Sequence, residues 1–324
     1  MRLQELFDFA ISEGVKTDPR GKDVVEECMS FIREQYEKLS EEEKAFFDAE
    51  KLTNPYPDTR ILYGGRRLYA GEEVDVHTVV VGIDIEEADL LLVDRLSQEE
   101  PIDLVISHHP EGPALTSLTD VMYMQSLIFS KFGVPINIAE KVMQSRIERV
   151  ERLLLKVNYL SAVSTAQKLG IPFMCIHTPA DNHAASYLQS LFDRECPQRL
   201  GDVLDLLREQ PEYGRAAKYG QGPKIVIGRR ESYAGKVFVD MTGGTEGSSD
   251  IVERLAQAGV GTIVVMHTSE ERFEKTEKSL LNMIIAGHMA SDTLGMNLLL
   301  DKVEATFGEL KIICHSGFER FRRI

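Results

Sequence analysis

The spacing of apolar residues divides the chain into an N-terminal helical stretch and two longer series of alternating elements. Near the start, Leu3, Leu6, Phe7, Ala10 and Ile11 recur at helical spacing. Ser12-Glu13-Gly14 and Thr17-Asp18-Pro19-Arg20-Gly21 break this pattern before a second amphipathic run through Val24, Val25, Cys28, Phe31 and Ile32. The pattern predicts a helical N-terminal extension. Its end is the polar, proline-bearing stretch Thr53-Asn54-Pro55-Tyr56-Pro57-Asp58, which reads as a linker.

From about residue 78 short apolar runs alternate with amphipathic segments, the pattern of an α/β architecture with a largely parallel sheet. Strands are predicted at 78–85, 102–107, 134–138 and 171–177, with a long helical stretch at 140–169 part of which is expected to face another subunit. A second series begins after about residue 220. Its predicted strands are 224–227, 236–241, 262–266, 282–286 and 311–314, and its helices 250–258, 272–280 and 293–307. No short repeat stands out. The expected organisation is a helical extension at 1–58, a first α/β lobe at 59–200 and a second at 201–324.

Polar residues gather where three predicted strands end. The first run, Ile102-Asp103-Leu104-Val105-Ile106-Ser107, delivers His108-His109-Pro110. The carboxyl edge of a parallel sheet is where ligands collect, because the loops leave there. Neighbouring side chains of a strand point to opposite faces, so both rings reach one site only if the chain bends, and Pro110 favours such a bend. The bland alternative is a pair of histidines capping the sheet edge. The second run ends in His177-Thr178-Pro179-Ala180-Asp181, where Asp181 is either a helix N-cap or a carboxylate able to bridge cations, with His177 or His183 orienting it. The third ends in Gly287-His288-Met289-Ala290-Ser291-Asp292, where Ser291 or Asp292 caps a helix, or His288 and Asp292 share a helical face.

Taken together the three ends offer imidazoles and carboxylates suited to two divalent ions, such as Zn, Mn, Fe, Co or Ni. Two such ions activate water for hydrolysis. His267, just after the run 262–266, and His177 are the candidate proton carriers. The turn Met241-Thr242-Gly243-Gly244-Thr245-Glu246-Gly247-Ser248-Ser249-Asp250 lacks the lysine and spacing of a P-loop, so a tight connection capped by Ser249 or Asp250 is the simpler reading. If a phosphate binds, Gly243 and Gly244 are the expected contact.

Composition narrows the role. Thirty-seven Lys and Arg against 52 Asp and Glu give a net charge of -15, which disfavours broad contact with nucleic acid. The short basic end Arg320, Arg322 and Arg323 reads as a solvated tail. Four scattered cysteines, Cys28, Cys175, Cys196 and Cys314, suggest neither a disulfide framework nor a thiolate zinc site, which fits a reducing cytoplasm. No run approaches the ~20 apolar residues of a membrane span.

The strand-end segments, in this order and spacing, resemble the Nif-three-like family, which includes YbgI-like proteins and is often labelled GTP cyclohydrolase type 2-like. The likeness runs from about residue 78 to the end. It implies two interlocked α/β lobes with a dinuclear metal cleft between them, the ligands being His108, His109, Asp181, His288 and Asp292. Aspartate stands at 292 where the family has glutamate, and the family's Trp-Asp-Asn segment is missing. The resemblance also implies a ring-like homo-hexamer. The expected activity is metal-dependent hydrolysis of a nucleotide, phosphoester or cyclic amide-like small molecule; the alternative is a metal-binding, storage or scaffold protein.

Overall fold

The structure is a computed structural model and describes residues 1–69 and 73–323. Nine strands form two sheets among the described residues. β1 (Arg60–Tyr63), β2 (Thr78–Gly82), β3 (Leu104–Ser107), β4 (Phe173–Cys175) and β9 (Lys311–Cys314) make the first, in the order β1-β4-β3-β2-β9. β5 (Lys224–Ile227), β6 (Lys236–Asp240), β7 (Val260–Val265) and β8 (Asn282–Ile285) make the second, in the order β5-β8-β7-β6. The architecture is therefore α/β with two lobes.

The two sheets repeat one plan. In each, three successive strands run parallel and the strand before them pairs antiparallel with the last, through a register shift between Ile61 and Tyr63 in one case and Ile225 and Ile227 in the other. A long helix follows the last parallel strand of each set, Thr178–Glu195 after β4 and His288–Phe307 after β8. These helices are exchanged. Ala184, Leu188 and Phe192 of the first pack in one core with Val237, Val239 and Ile284 of the second sheet. Met296, Leu299 and Val303 of the second pack with Val79, Val81 and Ile106 of the first sheet. Lys311–Cys314, expected in the second lobe's series, is the consequence of that exchange: the returning chain pairs β9 with β2.

Two predicted elements differ. The run 134–138 is not a strand; Pro135, with φ -56°, precedes the helix Ile136–Leu154. A short apolar run does not distinguish strand from buried helix, and here Ala139, Met143, Ile147 and Val150 continue it at helical spacing into the core. The predicted helix 140–169 is two, Ile136–Leu154 and Ser161–Leu169.

The N-terminal region does more than cap. Leu3, Leu6 and Ala10 of the helix Leu3–Lys16 belong to the core of the first lobe. The supposed linker is also packed, with Tyr56 and Asp58 fully buried. Its turn is held by Asn54, whose Oδ1 accepts from Tyr56 N at 2.8 Å and whose Nδ2 donates to Thr59 O at 2.9 Å. The Tyr56 hydroxyl donates to Asp18 at 2.8 Å.

Nor is the basic C-terminus a solvated tail. Arg320 reaches Asp301 at 2.5 Å and Glu304 at 2.6 Å, Arg322 binds Glu304 at 3.0 Å, and Arg323 pairs with Glu212. Burial pushes the Glu304 carboxyl up, but hydrogen bonds from Arg322 and Arg320 outweigh it and hold the group at about 2. Arg320→Ala leaves two buried carboxylates short of a partner and is expected to lower unfolding free energy by about 3 kcal/mol in urea titrations. Because Glu304 is depressed from 4.5, its contribution is present above that pH and is lost as pH falls toward about 2, so the difference from wild type narrows over that window. An unchanged denaturation midpoint at neutral pH would show that the tail is not docked.

Candidate metal centre

Three imidazoles are fixed through Nδ1. His108 follows β3, is 1% exposed, and places Nδ1 3.0 Å from the Ile176 carbonyl oxygen. His109 Nδ1 lies 2.6 Å from Asp84 Oδ1, and His177 Nδ1 lies 2.8 Å from Asp58 Oδ2. A carbonyl or carboxylate oxygen accepts, so each Nδ1 carries a proton, and in the neutral ring each Nε2 is left as a lone pair. This outer hydrogen bond is the usual support of a metal-binding histidine.

Two helices bring carboxylates to those lone pairs. Asp181 lies in the first turn of Thr178–Glu195, not at the N-cap, which is His177. Its Oδ1 is 3.4 Å from His108 Nε2 and its Oδ2 3.8 Å from His177 Nε2. The helix His288–Phe307 begins at His288, so Ser291 and Asp292 are internal and His288 and Asp292 share a face. Gly287, with φ 112°, makes the corner before it. Asp292 divides its oxygens. Oδ1 faces His108 Nε2 at 3.6 Å, while Oδ2 faces His109 Nε2 at 3.5 Å and His288 Nε2 at 3.4 Å.

These separations exceed good hydrogen bonds. His108 Nε2, Asp181 Oδ1 and both Asp292 oxygens are buried without a partner. Lone pairs aimed at carboxylate oxygens repel unless a cation lies between them, and three overlapping groups have ligand atoms close enough to hold one: His108, His109 and His177; His109, His288 and Asp292; and His108, Asp181 and Asp292. The donor set fits a divalent ion.

Electrostatics agree. Burial pushes Asp181 up to about 8 and lowers His108 and His288 to about 4. Burial also lowers His109, but the carboxylates of Asp292 and Asp84, which face its two ring nitrogens, prevail and hold it up at about 10. Burial raises Asp292, yet His108, His109 and His288 keep it below its ordinary value. Buried negative charge here is short of positive charge, which a cation would supply.

The cluster opens into a cleft of about 320 Å³ whose walls include Pro110, Glu111, Leu115, Asp240, Thr242, Gly244, Glu246, His267 and Arg272. That volume suits a small molecule. His267 is exposed at the rim, its ring 4.8 Å from that of His288. Gly243 and Gly244 both have positive φ, 97° and 83°. Gln125 holds their turn by donating to Gly243 O at 2.6 Å and Thr245 O at 2.7 Å. Asp250 is the N-cap residue of the next helix, as one of the two expected, but its side chain makes no capping hydrogen bond and binds Lys275 instead, while Ser249 donates to Glu271. His183 is buried with Nε2 unpartnered and is not in the cluster.

Asp58 and Asp84 were not among the residues singled out from sequence. Asp84 sat within a predicted strand, two residues beyond the true end of β2, and Asp58 within a stretch read as linker. A further signal was legible: His-x-x-x-Asp occurs as His177 to Asp181 and as His288 to Asp292, each at a strand-to-helix corner.

No family model matches the chain, and no curated protein matches its sequence. Among solved structures, the NIF3 superfamily protein from Sphaerobacter thermophilus matches with a TM-score of 0.72, over 98% of this chain and 99% of that one, at 24% identity. The fold is the NIF3 fold. Protein ybgI matches at TM-score 0.45 and 16% identity over 90% of this chain and 96% of its own. TTHA1606 from Thermus thermophilus matches at 0.44 and 18% over 82% and 89%. The resemblance to Nif-three-like proteins drawn from three strand ends thus holds for the NIF3 fold as a whole.

In this chain's version of the NIF3 fold, Asp181 and Asp292 meet because their helices approach closely. A Cβ added at Gly295 would lie 2.3 Å from the Ala180 carbonyl oxygen. Gly295→Ala is therefore expected to cost about 1–3 kcal/mol in chemical denaturation, by forcing the helices apart. Unaltered stability would show that the crossing is looser than described.

Proposed function

We propose that the chain is a metal-dependent hydrolase whose cluster holds two divalent cations. The observation that carries this reading is the division of Asp292, one oxygen toward His108 and the other toward His109 and His288. A bridging carboxylate has this arrangement. His108, His109, Asp181, His288 and Asp292 are the proposed ligands. His177 joins them, because its Nδ1 is engaged by Asp58 and its Nε2 faces Asp181, which leaves no free nitrogen for carrying protons. When bound, two such ions supply Lewis acidity and an activated water.

The chain's own residues supply the rest. His267, solvent-facing and with its ring tilted against that of His288, is the proposed proton carrier for the leaving group. The backbone at Gly244 is the proposed contact for a substrate oxygen at the cleft wall. That wall has one guanidinium, Arg272, which is already paired with Asp240, and it also carries Glu111 and Glu246. The wall carboxylates suit the N–H groups of a neutral amide or cyclic amide, whereas a polyphosphate would have only the two cations as free positive partners. A small amide is therefore the favoured substrate among those considered, over a nucleotide or phosphoester.

Self-association into a homo-oligomer, a hexamer on the resemblance, is part of the proposal. Exposed Leu153 in the last turn of the helix Ile136–Leu154, and Leu155, Val157, Tyr159 and Leu160 after it, support it. A cytoplasmic setting is supported by four free cysteines. No helix among the described residues is long and apolar enough to cross a membrane.

Elemental analysis of protein reconstituted with Zn or Mn should find two ions per chain, and a His108→Ala/His109→Ala variant should retain neither. Cyclic and linear amides offered to the Mn or Zn form should turn over, and the variant should not. Stoichiometric metal with no turnover of amides, nucleotides or phosphoesters would favour the carrier or scaffold reading, and no metal after reconstitution would sink both.

A further inference from the structure

The two halves of the cluster are built on one plan but are not supported equally. His177 and Asp181 follow β4 as His288 and Asp292 follow β8. In the first half, Asp58 is fully buried and its Oδ2 accepts from His177 Nδ1 at 2.8 Å and from Thr178 Oγ1 at 2.6 Å. The neighbouring Thr59 Oγ1 accepts the backbone N–H of His177 at 2.9 Å. Asp58 lies two residues before β1, whose Arg60 pairs with Cys175 of β4. The matching place in the second half lies two residues before β5, whose Lys224 pairs with Ile285 of β8, and it is Gly222. Gly222 has no carboxylate to offer. Among the described residues no hydrogen bond reaches Nδ1 of His288, whose side chain is 42% exposed against 8% for His177.

We propose that Asp58 is a positioning residue that makes the His177 and Asp181 half of the centre its tighter cation position, an inference that rests on the metal-centre reading above. Its carboxylate fixes His177 in the tautomer whose lone pair is on Nε2. It also places negative charge behind the ring, which strengthens the ring as a donor. The ordering entropy of His177 is met during folding rather than at binding, whereas His288 has to be ordered by the ion itself. This support comes from the N-terminal region. Tyr56 is tied to Asp18, Asn54 closes the turn that carries Asp58, and Asn182 donates to the Gly14 carbonyl at 3.1 Å. The helices that precede β1 thus belong to the metal centre.

The test is competition of the full-length apo protein with a chromophoric chelator for Zn, together with ¹⁵N NMR of the His177 ring. Wild type is expected to show two classes of site and a single His177 tautomer. Asp58→Ala should weaken the tight class about 10- to 100-fold, leave the weak class unchanged and mix the tautomers. Asp58→Asn keeps an acceptor oxygen without the charge and should fall between them; it carries the test if the alanine variant does not fold. Thr178→Val, which removes only the second hydrogen bond to the same oxygen, should keep the tautomer. A folded Asp58 variant with wild-type affinity in both classes would overturn the positioning role while leaving the metal centre intact. A wild-type protein that binds no Zn would overturn both.

Discussion

The site depends on one steric constraint, the close crossing of the helices Thr178–Glu195 and His288–Phe307. Each helix leaves one sheet and packs on the other, so the lobes cannot separate without exposing both cores. The crossing is tight because Gly295 presents no side chain to Ala180. Asp181 and Asp292 stand one turn or less from that point, and the crossing sets the distance between their carboxylates. A site made in this way is assembled from opposite directions by elements that are rigid for reasons of packing, which is the condition for holding ligand atoms within a few tenths of an ångström.

The packing buries negative charge at the floor of the cleft. Asp181 and Asp292 are buried, and three of the four imidazoles facing them, His108, His109 and His177, donate from the far nitrogen to Ile176 O, Asp84 and Asp58. Left alone, such a cluster is unfavourable: Asp181 is driven toward its neutral form and His109 toward its charged one. A bound cation would remove both tendencies. Stability and the proposed chemistry would then be linked, since what relieves the buried charge would also supply the Lewis acid.

Much of this was legible in the sequence because it depends on local pattern. The alternation of apolar runs with amphipathic segments located eight of the nine strands, and polar residues at the ends of β3, β4 and β8 marked the site. β1 was missed: its Arg60-Ile61-Leu62-Tyr63 is a short edge strand that follows prolines and is specified by pairing with β4 rather than by its own pattern. The run 134–138 was misread because four or five apolar residues suit either period. Asp58 was hidden because a stretch containing Pro55 and Pro57 has the composition of a linker, and only tertiary contacts bury it. The exchange of helices between lobes is likewise a long-range event, with no signature in periodicity.

The central claim is that Asp292 bridges two cations. Anomalous scattering from crystals loaded with Zn or Mn tests it most directly. The account predicts two peaks about 4 Å apart on either side of the Asp292 carboxylate, one beside His108 and Asp181 and the other beside His109 and His288. A single peak, or two that do not share Asp292, would contradict it.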